Sequence, residues 1–117
     1  MSEIIELMNV RTVGSLGKKI KVASTFSQRF IGLLGRSRLN PEEGLLLENC
    51  NQVHMLFMRF EIGIIFLSPE LQVVGLETCL KPWKISQMVP EAGLVLELPV
   101  GVIEAAGCEF GDQIVKI

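Results

Sequence analysis

The sequence predicts an α+β fold in which antiparallel β-structure predominates: a small barrel or curled sheet with one or two short helices packed outside. The first observation is a succession of short β-like runs in the second half of the chain. The second is a single capped amphipathic stretch between residues 25 and 35. The third is a chain of 117 residues that is 49% apolar and has no linker, which predicts one domain, residues 1–117, with its own core.

The first two elements are predicted to form a hairpin. A strand covers part of Ile4–Val13, and Gly14–Gly17 would make the turn. Lys19–Val22 then alternates polar and apolar residues, as a half-buried strand does.

The next stretch, STFSQRFIGLLGRSRL at residues 24–39, predicts a helix. Thr25 and Gln28 match a capping box, in which two side chains bond to amides that the first turn leaves without partners. Gly35 can end the helix in a left-handed conformation. Arg29 and Arg36 lie seven residues apart on the polar side, so they face water or a partner. An apolar stripe would pack the helix on a sheet: Phe26, Phe30, Leu33 and Leu34.

Six short strands are predicted in the remainder of the chain: Gly44–Glu48, Val53–Arg59, Ile62–Leu67, Leu71–Glu77, Leu94–Leu98 and Gln113–Ile117. Ile62–Leu67 is apolar on both faces, which is typical of a central strand. Ser68–Glu70 would join it to the next strand in a hairpin, since proline fits the second position of a tight turn. Lys81–Gly93 is predicted to be a long loop, and Pro99–Ala106 a short helix that Gly107 ends.

Charge is distributed unevenly along the chain. Residues 11–38 contain seven Lys or Arg and no acid, whereas the rest of the chain holds all 13 acids and four bases. Two interpretations stay open: the two parts neutralise each other across the folded surface, or the cationic part is an anion-binding face. A net charge of −2, with one Trp and no Tyr, argues against nucleic acid as a partner.

The composition and the N-terminal residues also indicate the cellular compartment of the protein. No run approaches the ~18 apolar residues of a membrane span, so no membrane association is expected. Glu3 and Glu6 stand where a secretory signal would be basic and then apolar, which predicts a cytoplasmic protein. Cys50, Cys79 and Cys108 are therefore expected to be reduced and largely buried.

Five segments stand in a recognisable order: KVASTFSQRFIGLLGRSRL, EEGLLL, HMLFMRFEIGIIFLSPELQVVG, LVLELPVG and GDQIVKI. Together they run from about residue 21 to residue 117, and their shared order resembles the bacterial and archaeal family called domain of unknown function 192 (DUF192). The resemblance implies a compact β-rich barrel with short helices. It implies no activity, because none is established for the family.

Several positions match the family pattern: Arg29, Gly32 and Leu33 of R-x-x-G-L, Met58 and Phe66 of the central strand pair, Glu97, Pro99 and Gly101 of E-x-P-x-G, and Gly111 with Asp112 of the final G-D turn. The sequence departs from the pattern at Gly63, where family members commonly carry an aspartate. If that aspartate contributes to a family site, this chain lacks the site or uses it differently.

The stretch CNQVHMLFM, residues 50–58, holds the only histidine of the chain. On a helix, Cys50 and His54 would lie ~6 Å apart and could share a zinc or copper ion. On a strand they would lie about 13 Å apart, too far for one metal. The predicted strand puts four residues on one face: His54, Leu56, Met58 and Phe60. No metal or other cofactor is therefore predicted, although Cys50 and His54 remain the alternative metal or nucleophilic site.

The predicted ligand site has a cationic part and an aromatic part. Arg29 could hold a phosphate or carboxylate together with the lysines of the second strand, Lys18, Lys19 and Lys21. Alternatively, Arg29 pairs with Glu97, which the alternation in Leu94–Leu98 places on the face opposite the leucines. Trp83, between Lys81 and Lys84, could stack a base, a sugar or a peptide aromatic, or could cap the core.

These observations favour a noncatalytic cytosolic binding module for an anionic small ligand or a protein segment. The candidate ligand-binding residues are Arg29, Arg36, Trp83 and Glu97. An enzyme is disfavoured because no complete catalytic set is visible in the sequence. Two alternatives are a metal-binding or Cys/His-dependent enzyme centred on Cys50 and His54, and an accessory protein that acts through protein–protein contact.

Overall fold

The computed structural model describes residues 3–24, 33 and 36–117. These residues form seven strands and one short helix: β1 (Ile4–Asn9), β2 (Gly14–Ala23), β3 (Glu43–Glu48), β4 (Ile62–Leu67), β5 (Val73–Leu80), β6 (Leu94–Leu98), α1 (Val102–Ala105) and β7 (Ile114–Lys116). The helix predicted from Thr25 to Gly35 lies outside the described residues, apart from Leu33.

All seven strands belong to one sheet, in the order β5-β4-β6-β3-β2-β1-β7. Only β2 and β3 are parallel, and the other neighbours are antiparallel. The sheet curls into a half-barrel whose two edges meet at one end, where Gln72 bridges Gln113 and the Val73 N–H donates to the Asp112 carbonyl at 2.8 Å. The prediction of a curled, predominantly antiparallel sheet with little helix is confirmed.

The concave side of the sheet contains the interior core, and α1 closes one end of it. Its buried residues come from all seven strands and from the segment around α1: Ile5, Leu7, Leu16, Ile20, Val22, Leu46, Ile65, Leu67, Val73, Leu96, Leu98, Ile103, Ala106, Cys108 and Ile114. These side chains alternate along the strands with residues of the opposite face, as the pleat of a sheet requires.

The convex side of the sheet is also apolar and forms an outer core. Its buried members come from the strands and from the irregular segments around them: Ala23, Leu33, Leu39, Leu45, Leu47, Val53, Met55, Met58, Ile62, Ile64, Phe66, Leu80, Val89 and Val95. The chain between residues 50 and 60 and between residues 81 and 93 contributes to this layer. Every residue of β4 is buried because the strand has a core on each side, so its prediction as a central strand is confirmed.

Residues 53–59 do not form the predicted strand. The backbone turns at Leu56 and Phe57, where the Met58 N–H donates to the Met55 carbonyl and Phe57 has a φ of 66°. Alternation of buried and exposed residues holds only before this turn. As a result His54 is exposed and Met58 is buried, so the prediction that they share a face is wrong.

The other predicted elements are largely confirmed, with shifted bounds. β1 and β2 form the expected hairpin, but its turn lies at residues 10–13 and not at Gly14–Gly17. Side chains make this turn, since the Asn9 Oδ1 accepts the Arg11 N–H and the Thr12 hydroxyl accepts the Gly14 N–H. The predicted helix at Pro99–Ala106 is shortened to α1, because Gly101 is left-handed at φ 98°.

Candidate anion-binding site

A cavity of about 200 Å³ opens on the outer face of the sheet, over β1, β2 and β3. Nine of the described residues line it: Ile4, Lys19, Lys21, Leu33, Arg36, Leu39, Glu43, Gly44 and Leu45. Buried leucines form the apolar part of the wall, and the charged groups are three cations and one carboxylate. Residues 11–38, the cationic segment of the sequence, thus supply three of the four charged side chains that line this cavity.

The register of β2 against β3 brings the lysines to this cavity. Lys19 pairs with Glu43, and Lys21 pairs with Leu45. Because side chains alternate along a strand, all four residues project from the outer face, while Ile20 packs in the interior core. Among the described residues neither lysine forms an ion pair, so both ammonium groups remain available.

Arg36 is held at the cavity by Glu43. Its two terminal nitrogens lie 2.8 and 3.3 Å from the carboxylate oxygens, and the Asn40 N–H also donates to Glu43 at 2.9 Å. These interactions, the hydrogen bond from Arg36 foremost, lower the pKa of Glu43 and keep the carboxylate charged. The pair fixes the guanidinium in place, and about two of the three positive charges of the cavity stay uncompensated.

Glu97 lies beside this cavity but does not line it. It pairs with Leu45 on one side and with Ile64 on the other, which places its side chain on the outer face, as the sequence predicted. The residue is only 7% exposed, and no described residue forms a hydrogen bond or an ion pair with its carboxyl group. Burial raises its pKa to about 7. Arg29, its predicted partner, lies outside the described residues.

Trp83 is separate from the cationic cavity. It is 59% exposed and meets the Phe57 ring edge to face, with ring centroids 4.9 Å apart. The interpretation of Trp83 as a cap on the core is therefore wrong. Of the predicted ligand-binding residues that the structure describes, Arg36 lines the cavity, Glu97 is buried next to it and Trp83 belongs to an exposed aromatic pair.

The stretch with Cys50 and His54 shows no metal-ligand cluster. The Cys50 thiol donates to the Gln52 carbonyl at 3.1 Å, and His54 is exposed in a backbone bridge with Ile85. No three His, Cys, Asp or Glu side chains of the described ranges are grouped as metal ligands. All three cysteines are reduced, but Cys79 is exposed and donates to Glu61 at 3.2 Å, so the expectation that all three are largely buried is wrong.

Sequence reasoning missed a buried polar network at one end of the barrel. The Asp112 carboxylate accepts hydrogen bonds from Asn9 Nδ2 at 2.9 Å, from Arg11 Nε at 2.7 Å and from the Glu109 N–H at 2.9 Å. These bonds, above all that from Arg11, lower the pKa of Asp112. The network ties the first hairpin to the final G-D turn. The only signal in the sequence was the match of Asp112 to the family pattern.

The sequence profile of DUF192, described as "Uncharacterized ACR", matches residues 9–116. The chain belongs to the DUF192 family. A UPF0127 protein of Pyrococcus furiosus is 35% identical over 114 residues, which cover 92% of this chain and 95% of the relative. A UPF0127 protein of Thermococcus sibiricus is 35% identical over 102 residues, 82% of this chain, and the match spans 64% of that relative's length. The family match begins at residue 9, earlier than the resemblance from about residue 21 indicated.

Two crystal structures share the fold of this DUF192 chain. One is a protein of unknown function from Novosphingobium aromaticivorans, with a TM-score of 0.81 at 18% identity over 97% of this chain and 84% of that one. The other is a Sinorhizobium meliloti protein named as a proposed transcription regulator, with a TM-score of 0.84 at 20% identity over 99% of this chain and 94% of that one. At this level of identity the likeness establishes the fold alone.

Gly63, where the sequence departs from the family pattern, faces the interior side of β4. A Cβ atom at this position would lie 3.0 Å from the Ile103 Cδ1 atom of α1. The missing side chain lets α1 pack closely on β4, and it does not alter the outer face that carries the cavity. In the described ranges, no helix is long and apolar enough to cross a bilayer.

Proposed function

We propose that the chain is a noncatalytic module that binds a small anion, with a phosphate or carboxylate group, in the cavity over β1, β2 and β3. The convergence of Lys19, Lys21 and Arg36 on one cavity with a single carboxylate supports this proposal most directly. Lys19 and Lys21 lie two residues apart on one strand, so their ammonium groups repel each other unless an anion lies between them. An anion therefore gains attraction and also relieves repulsion between protein groups.

The size of the cavity limits the ligand. A volume of about 200 Å³ is below the ~300 Å³ at which sites for drug-sized molecules begin, and it equals the volume of roughly six or seven water molecules. Inorganic phosphate, a small phosphomonoester or a short dicarboxylate fits this space. Arg36, which Glu43 holds in place, adds a fixed positive charge beside the ligand, and the two lysines supply the point charges that bind it.

The lining residues favour binding over chemistry. None of the nine described residues that line the cavity is a Ser, Thr, Cys or His, so they supply no hydroxyl or thiol nucleophile and no histidine base. The carboxylate of Glu43 is engaged by Arg36 and has a lowered pKa, which makes it a poor general base. These features support a site that holds an anion without transforming it.

Isothermal titration calorimetry with inorganic phosphate and with succinate tests the proposal. Lys21→Gln removes one positive charge from the cavity and is expected to weaken binding about tenfold, since a charge-assisted hydrogen bond contributes about 1.5–3 kcal/mol. Lys18→Gln is the matched control, because Lys18 is an exposed neighbour that does not line the cavity. Arg29→Gln in the same series tests whether the predicted Arg29 belongs to the site.

Equal loss of affinity in Lys18→Gln and Lys21→Gln would contradict the proposal, because it would show attraction to net charge and not to a site. Unchanged phosphate affinity in Lys21→Gln would contradict it as well. Melting temperatures of the two lysine variants should match that of the unaltered protein, since both lysines are exposed.

A further inference from the structure

Residues 51–58 and 83–89 form an irregular two-stranded ribbon on the outer core. Its backbone bonds run from the Val89 N–H to the Asn51 carbonyl at 3.0 Å, and from the Met55 N–H to the Lys84 carbonyl at 2.7 Å. The inner face of the ribbon contributes buried residues to the core: Val53, Met55, Met58 and Val89. The outer face is apolar too: Phe57 is 66% exposed, Trp83 59%, Ile85 62% and Met88 60%. Packing in the outer core therefore explains the apolar residues on the inner face of the ribbon, but not those on its outer face.

The backbone does not favour aromatic residues at the tip of this ribbon. Phe57 has a φ of 66° and Trp83 a φ of 68°, both in the left-handed region that bulky side chains rarely adopt. Glycine would adopt the same conformation without strain. Two exposed aromatic rings in mutual contact are thus kept at positions where fold stability disfavours them. Such strain is typical of residues that serve recognition.

Cations flank this aromatic pair along the chain. Beyond residue 38 the chain holds eleven acids and only four Lys or Arg, and three of the four lie within two residues of Phe57 or Trp83: Arg59, Lys81 and Lys84. All three are exposed, and none forms an ion pair with a described residue. The fourth, Lys116, pairs with Glu3 at 2.8 Å. The exposed cations in the acidic part of the chain therefore lie within two residues of the exposed rings in the sequence.

We infer that the outer face of the ribbon is a docking surface for a segment of another protein that carries acidic side chains next to an apolar anchor. The anchor packs on the two rings and Ile85, and its carboxylates reach the three cations. This surface is distinct from the anion cavity, and neither site depends on the other.

The surroundings of the ribbon favour a protein segment over other anionic partners. Glu61 and Glu77 lie nearby, where they accept hydrogen bonds from the Cys79 thiol and from the Gln87 N–H. With a net charge of −2, the protein repels an extended polyanion or an anionic bilayer, whereas single carboxylates can approach single cations. His54 is exposed between the apolar residues and offers hydrogen bonds that a peptide can use and a lipid chain cannot.

Tryptophan fluorescence can test this inference, because Trp83 is the only tryptophan of the chain. The probe is a short synthetic peptide without tryptophan in which glutamate alternates with leucine and phenylalanine. A control peptide has lysine in place of glutamate. Vesicles of phosphatidylcholine with phosphatidylserine, and poly-uridylate, represent the two rival classes of partner. We expect a saturable change of the Trp83 emission with the acidic peptide, and an affinity at least about tenfold lower for each of the other probes.

Phe57→Gly separates recognition from stability. It removes one ring and relieves a strained backbone, so the melting temperature should stay the same or rise while affinity for the acidic peptide falls about tenfold. Lys84→Glu should lower the affinity to a similar degree. Two matched controls should leave it unchanged: Phe110→Ala, which removes a ring exposed elsewhere at 75%, and Lys18→Glu.

Three results would overturn the inference. The first is the absence of saturable binding to the acidic peptide. The second is tighter binding to the vesicles or to poly-uridylate, which would assign the surface to a lipid or a nucleic acid. The third is a Phe57→Gly variant with a lower melting temperature and an unchanged affinity, which would make the ring pair part of the fold.

Discussion

The interior core and the outer core lie on opposite faces of the same seven-stranded sheet, and their buried polar groups differ. At the end of the interior core, Asn9 and Asp112 are buried but bonded to each other and to Arg11. On the outer face, Glu97 is equally buried but forms no hydrogen bond with a described residue. The cationic cavity and the exposed aromatic pair also belong to the outer face.

We interpret this difference as a division between groups that stabilise the fold and groups that serve the proposed binding. A buried polar group with satisfied partners holds the fold together, whereas an unsatisfied one costs stability and indicates another use. The interior face therefore accounts for the stability of the barrel. The outer face carries the groups that fold stability does not explain, which are Glu97, the cationic cavity and the exposed aromatic pair.

The largest expected effect concerns the interior core. Leu96→Ala removes a side chain that is fully buried in the interior core between β3 and β4, so it should lower the free energy of unfolding by about 2–5 kcal/mol. Denaturant unfolding measures this loss. If the two faces are independent, the folded variant keeps the phosphate affinity of the unaltered protein. A large fall of phosphate affinity in the folded variant would show that the two faces of the sheet are not independent.

The next effect concerns Glu97 and depends on pH. Its pKa is raised from 4.5 to about 7 in the folded state, so the folded state binds the proton more tightly than the unfolded state. The stability from this proton is complete below pH ~4.5 and is lost as pH rises through ~7. Relative to Glu97→Gln, the unaltered protein should lose about 3 kcal/mol of unfolding free energy across this range.

Chemical denaturation of both proteins at several pH values gives this difference directly. The lowered pKa values of Glu43 and Asp112 produce the opposite trend at lower pH, but they are common to both proteins and cancel. A difference that stays flat with pH would show that the Glu97 carboxyl has a partner, and the contrast with Asn9 and Asp112 would then fail.

A smaller effect is expected at the network that closes the barrel. Asn9→Ala leaves the buried side of the Asp112 carboxylate with one donor fewer, and we expect a loss of about 1–3 kcal/mol in the free energy of unfolding. Thermal denaturation measures it. Ser37→Ala is a suitable control, since Ser37 is exposed and lies away from the network. A neutral Asn9→Ala variant would mean that water replaces the lost donor.

Much of the sheet could be predicted from the sequence because its signals are local. The uninterrupted apolar run of β4 correctly predicted a strand buried on both sides, and the alternation in β6 placed Glu97 on the correct face. The alternation of Lys19 and Lys21 likewise identified a cationic face, and the register with β3 turned that face into a cavity.

The remaining features depend on contacts that no local pattern reports. The strand predicted from Val53 fails because the chain turns at Phe57 without a glycine or proline to mark the turn. The bond between Arg11 and Asp112 joins residues 101 positions apart. Trp83 packs on the exposed ring of Phe57 in the neighbouring segment and so remains outside the core. A lone tryptophan in a loop does not reveal that contact.

A phosphate titration followed by amide NMR shifts tests the central claim most directly, because it maps binding onto both faces in one experiment. We expect saturable shifts confined to the cavity side of β2 and β3, at Lys19, Lys21, Gly44 and Leu45, with the amides of the interior residues Leu7 and Ile114 unmoved. Shifts that are spread evenly over exposed lysines, or that never saturate, would contradict a built anion site on the outer face.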